Sequence, residues 1–361
     1  MVAPMSRAIF AAATLIACGT AGAAELKQIA SIAIPGEKLT GFDISFVDQA
    51  TGRYFFSDRS NKAVDIFDAR TNTFVTRVGS FAGIILKDGK PNNDASGPDG
   101  VVAIGNEVWV GDGDSSVKVI DVATHNVIDT INTGGSTRVD EMAFDPKDAV
   151  FIGVNNAEDP PYATLVSTAA QHKIIAKIVF ADATDGAEQP AYNPADGMFY
   201  VSIPELNKDV KKGGVAVIDP RSGKLVNILP VDNCHPAGLA FSPSGNFVLG
   251  CAANGKKMPA TITIMSAQTG SVVANIPDIG GADMVNYNAR NNQYYIAASG
   301  NPGGPVLGVI DATTNKLVQK IAITGGTPHS VTSSEADGHV FLPVGTADGG
   351  DGAIHVYAPV Q

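Results

Sequence analysis

The amino-acid sequence predicts an all-β protein, a seven-bladed β-propeller of four-stranded blades whose last blade is closed by the N-terminal strand. Three observations predict it. A two-strand unit recurs seven times along the 361 residues. Each copy follows a further pair of strands, commonly joined by a turn containing Pro. The last copy runs out of chain before its second strand, while a spare strand stands at the other end.

In chain order, 63–69 is followed by 74–78, 117–121 by 127–131, 164–166 by 174–178 and 215–219 by 225–229. Then come 262–265 with 272–276, 307–311 with 317–321, and last 354–358 alone. The first strand of each unit is rich in Val and Ile and often ends in Asp, with Thr or Gly in the turn behind it. β-Branched residues suit extended backbone, whereas Asp, Thr and Gly suit turns, so the unit is a hairpin. The pair ahead of it is seen in 140–152 and 238–250, where Pro-Lys-Asp and Pro-Ser-Gly interrupt two apolar runs. The segment 26–34 supplies the strand that 354–358 lacks. A β-sandwich of irregular hairpins leaves seven copies of one pattern unexplained.

At 44% hydrophobic content the chain can bury a large core, which excludes intrinsic disorder. A formal net charge of −11 excludes a nucleic-acid partner, which would select clustered Lys and Arg. Residues 1–23 read as a signal peptide: Arg7 supplies the charge, 8–17 are almost wholly apolar, and Ala21-Gly22-Ala23 is a cleavage site. Residues 24–361 are then the propeller domain, expected as a periplasmic or secreted monomer. Leu15-Ile16-Ala17-Cys18 also matches a lipoprotein box, and on that alternative Cys18 anchors the protein to the outer membrane. No later stretch approaches the ~20 apolar residues of a membrane helix, so no transmembrane segment is expected. Cys234 and Cys251 remain, an even pair in an oxidising compartment, and a disulfide is expected. Their spacing is not that of a CxxC metal site.

Candidate functional residues follow from aligning the blades. Four positions before the central apolar residue of each innermost strand stand Asp43, Asp99, Asp140, Glu188, Ala237, Asp283 and His329. Successive positions lie 41 to 56 residues apart, which is blade spacing. In blade 5 His235 lies two residues ahead of Ala237. Innermost strands line the channel, so these side chains are expected at one mouth. Carboxylates crowded there repel one another unless a cation or shared protons relieve them. Asp43, Asp99, Asp140 and Glu188 are candidate ligands of a divalent cation, Ca²⁺ or Mg²⁺, or Zn²⁺ where histidine joins. His329, His235 and Asp283 are candidate catalytic groups. A merely solvated polar mouth and a site for an organic cation are the alternatives.

Loops leaving the second strands return to the same mouth with Asp58, Arg59, Asp112, Asp114, Asn155, Asn156, Glu158, Glu205, Asn254, Lys256 and Lys257, either an outer shell or solvated loop polars. The long segment 81–98 is either a lid or a loose loop.

The unit Val-x-Val-Ile-Asp, a turn, then Val-x-x-Ile resembles YVTN-repeat propellers along the whole domain, which implies the fold and leaves function open. Glu188-Gln189-Pro190-Ala191-Tyr192, Asp99-Gly100 and Asp140-Glu141 resemble motifs of the gluconolactonase and regucalcin family. That resemblance implies a metal held by Glu188 and Asp140 or Asp99, polarising a lactone carbonyl. Pro328-His329-Ser330 is similar to a segment of virginiamycin B lyase propellers, which implies His329 as general acid or base. Two functions follow as expectations. One is an exported metal-dependent enzyme, lactonase-like hydrolase or lyase, acting on a small organic substrate. The other is a non-catalytic propeller binding a ligand or a partner protein.

Overall fold

The computed structural model describes residues 24–169, 171–251, 258–346 and 349–360; the expected signal peptide, with Cys18, and the loop residues Asn254, Lys256 and Lys257 lie outside them. Blade 1 is built from Ser45–Asp48, Arg53–Asp58, Ala63–Asp68 and Thr73–Val78, paired antiparallel in that order. Blades 2 to 6 repeat the plan over 101–132, 142–179, 190–232, 236–276 and 284–322. In blade 7 the innermost strand is split into Gly326–Pro328 and Thr332–Ser333, both paired with Val340–Thr346. Ala353–Pro359 follows, and the N-terminal strand Leu26–Ile32 lies outermost against it, Leu26 opposite Pro359. Each innermost strand touches the next around the circle, blade 7 touching blade 1, so the ring is closed.

The burial pattern shows why these sequences stack. Second and third strands such as Val150–Asn155 are buried along their whole length, because both faces of each sheet meet a neighbouring blade. Outermost strands such as Ile174–Val179 are mostly exposed. Among the described residues seven apolar clusters result, one at each blade junction. The closing junction packs Ile354, Val356 and Phe341 against Tyr54, Phe56 and Phe67. Each such side chain contributes about 1.5–3 kcal/mol on burial, so the ring is held by its junctions rather than by single blades. Among the described residues, no helix is long and apolar enough to cross a membrane.

Cys234 and Cys251 form the expected disulfide, 17 residues apart in sequence. It ties the start of Pro236–Phe241 to the end of Asn246–Cys251. Replacing both cysteines by Ala should remove about 3 kcal/mol of stability, the loop-closure value for this span, read as a lower urea midpoint. A shift worth less than about 1 kcal/mol would mean that the surrounding core already holds this end of the blade.

Candidate functional site at the channel mouth

The acids at the innermost strands owe their places to backbone pairing. The N–H groups of Asp43, Asp99, Asp140 and Glu188 donate to the carbonyls of Ser57, Gly111, Val154 and Ser202, at 2.8–3.0 Å. Each acid is therefore held in register with its second strand, at one level of its blade. Gly100 brings two of them together. A Cβ there would collide with the Asp140 carbonyl oxygen, so only glycine lets blades 2 and 3 approach this closely.

Asp43, Asp99 and Asp140 are buried, and each places a carboxylate oxygen within 4.8 Å of the others. That spacing could hold a metal ion. The chain, however, brings its own cations. Arg59 hydrogen-bonds both Asp43 and Asp99. Arg138 lies 2.7 Å from Asp140, 3.2 Å from Asp43 and 3.7 Å from Asp99. Asn156 steadies this pair, its Nδ2 donating to Asp140 and its Oδ1 accepting from Arg138 Nε. His329 Nε2 bonds Asp43 Oδ1 at 2.7 Å, and its Nδ1 lies 3.0 Å from Asp283 Oδ2. Three carboxylates thus meet two guanidinium groups and an imidazole. The spacing fits a divalent ion, but the charge balance does not require one.

Burial drives these groups toward neutrality, and the local cations decide which resist. Asp43 is the one that resists: against burial, Arg59, His329 and Arg138 hold its carboxyl far below the usual range. Burial pushes Asp99 well up despite the two arginines, and its Oδ2 has no partner among the described residues. Asp140 is pushed up to about 6, mainly by burial. Burial, reinforced by neighbouring carboxylates, lifts Glu188 and the buried Glu141 well above the usual range. Burial opposes the charged form of His329, but Asp283 and Asp43 outweigh it and raise the imidazole to about 9. Burial thus works against the charged forms of Asp99, Asp140, Glu188 and Glu141, while the carboxylates around His329 favour its protonated form.

Asp43, Asp99, Asp140, Asp283 and His329 form one bonded network, completed by Arg59 and Arg138. Glu188 is half-buried, and its field is dominated by Asp283 and Asp140. His235 stands apart. It is 3% exposed, and its Nε2 bonds Asp185 at 2.7 Å. Lying two residues ahead of the aligned position moves it by about 6.6 Å of extended chain. Arg59, expected in an outer shell, reaches the centre instead. Arg138 belongs to no repeat position; its one signal in the sequence is that it stands two residues before Asp140, where alternate residues of an extended segment share a face. Nothing in the sequence marks Glu141 apart from its neighbour. Segment 81–98 is ordered: Gly83 pairs with Gly97, Leu86–Lys87 pairs with Lys90–Pro91, and the Asp94 carbonyl takes the Arg138 N–H at 2.8 Å.

No protein-family model matches the chain, and no curated protein matches it. Among solved structures it is similar to a chain of hydrazine synthase from Kuenenia stuttgartiensis, with 16% identity and a TM-score of 0.69. The match covers 86% of this chain and 94% of that one, and at this identity it speaks for the fold alone. Seven four-stranded sheets, an N-terminal strand closing the ring and this likeness together identify the chain as a seven-bladed β-propeller.

Proposed function

We propose that this protein is an exported acid–base enzyme of the hydrolase or lyase type, acting on a small polar organic molecule at the charged mouth. One observation carries the reading. His329 is gripped at both ring nitrogens by carboxylates, yet 34% of its side chain is exposed at the mouth. Asp43 is buried and pinned by both arginines, so it holds Nε2 in place. Asp283 is itself 34% exposed and is the partner that can yield to a ligand. A ligand oxygen taking that place receives the Nδ1–H, and the released Asp283 is positioned to accept a proton from water or substrate. Glu188, whose charged form burial, Asp283 and Asp140 oppose, is the second proton donor. The disulfide supports export to an oxidising compartment.

The test is a panel of small lactones with acid release followed by a pH indicator. Turnover should fall at least about a hundredfold in His329→Gln and in Glu188→Gln, each assayed well below its own thermal transition. Turnover that survives both substitutions overturns these roles. No turnover and no ligand-induced rise in melting temperature across the panel would favour the non-catalytic binder.

A second reading rests on the spacing of Asp43, Asp99 and Asp140 and on the unpartnered Asp99 Oδ2. These carboxylates would hold a divalent cation, Ca²⁺, Mg²⁺ or Zn²⁺, which would supply Lewis-acid polarisation, with Arg59 swung aside. Elemental analysis before and after chelator dialysis decides. Near-stoichiometric metal that the chelator removes supports it, and metal-free protein leaves the arginines as the counter-charge.

A further inference from the structure

A cavity of about 640 Å³ opens at the far ends of the innermost strands of blades 4, 5 and 6, away from the charged mouth. Among the described residues no charged side chain lines it, although the protein carries a net charge of −11. Three aromatic rings do, one from each blade: Tyr192, Phe241 and Tyr287. All three are only half-buried: each packs one side against a junction core and leaves apolar surface facing the cavity.

Each ring is braced by a buried aromatic neighbour. Tyr192 packs on Phe199 with centroids 5.7 Å apart, and Tyr287 on Tyr294 at 5.3 Å. Phe241 is held by Tyr200 at 4.9 Å and Phe247 at 5.2 Å. The Tyr287 hydroxyl also donates to Asn292 Oδ1 at 2.9 Å. At the inner end stands Gln189, the residue after Glu188. Its Oε1 accepts from Leu239 N at 2.7 Å and Val285 N at 3.4 Å, and its Nε2 donates to the Val285 carbonyl. One amide therefore locks blades 4, 5 and 6 together at the cavity's base.

A rigid, uncharged, aromatic-walled concavity of this size is built for a ligand with a flat apolar face. Asn286 and Ser242 add polar groups for its edge. We propose that this cavity binds a neutral small molecule carrying an apolar ring face and a hydroxyl edge, independently of the charged mouth. A sugar ring and a phenolic ring share that chemistry.

The probe is phenyl β-glucopyranoside, with methyl β-glucopyranoside and phenol as separate arms, followed by saturation-transfer NMR and calorimetry on the full protein. The phenyl glucoside should bind, and the arm that also binds shows which half the rings hold. Tyr192→Ala and Tyr287→Ala should each weaken binding about tenfold, the order of one lost aromatic contact. Ala195→Trp fills the exposed rim without touching the core and should abolish binding even if the tyrosine variants fold poorly. His329→Gln should bind as the parent does. No binding of any arm at millimolar concentration, binding untouched by Ala195→Trp, or binding lost in His329→Gln each overturns the proposal.

Discussion

Replacing Arg59 by Met should destabilise the protein by about 3–5 kcal/mol at neutral pH, the range for removing one partner of a buried ion pair. The guanidinium is buried against Asp43 and Asp99, themselves 1% and 0% exposed. Its loss leaves Asp99 with Arg138 alone, at 3.7 Å, and Asp43 with Arg138 and His329, both carboxylates shut away from water. Their carboxyl pKa values then rise in the folded state. A group raised on folding supports stability below its unfolded pKa and loses that support as pH increases, so the deficit should shrink toward about pH 4. Urea midpoints at the two pH values, with unchanged slopes, check both statements. Adding Asp99→Asn should restore part of the loss, because the buried carboxyl left with the weakest counter-charge is then neutral. A deficit below about 1 kcal/mol would mean that something other than Arg59, a bound cation above all, neutralises the triad.

Asp43→Asn should be comparably damaging, about 3 kcal/mol or more, since this carboxylate meets Arg59, Arg138 and His329 at once. It also makes a titration visible. His329 in the parent is raised to about 9, above the 6.5 of a free imidazole. Its contribution is therefore complete below about pH 6.5 and is lost as pH climbs through about 9. The parent should lose stability across that window, and Asp43→Asn should lose less while its His329 resonance titrates at lower pH. A parent stability curve flat over the same window, or an unmoved resonance in the variant, would rule out Asp43 as a partner of Asp283 in charging the imidazole.

The strands were legible because their signal is local. The recurring Val-x-Val-Ile-Asp hairpins, the Pro-containing turns and the spare segment 26–34 each act over a few residues, and their repetition supplied the rest. The same regularity placed Asp99, Asp140, Glu188 and Asp283 at equivalent positions. Asp99-Gly100 read as a resemblance to a lactonase motif, and its structural reason is the contact between Gly100 and the Asp140 carbonyl. His329 sits where the innermost strand of blade 7 is broken between Pro328 and Thr332, a break that repeat alignment passes over.

The charge balance at the mouth was not legible. Arg59 and Asp99 are 40 residues apart in sequence, and Arg138 and Asp43 are 95 apart. Their pairing depends on how closely blades 1, 2 and 3 stack. Repeat spacing and hydrophobic pattern specify which residues begin each innermost strand, since those depend on neighbours along the chain. Which acids receive an arginine, which take up a proton and which histidine turns away toward Asp185 is settled by distances through space. Coulomb energy in a buried mouth changes steeply over a few ångströms, and such distances exist only once the ring has closed.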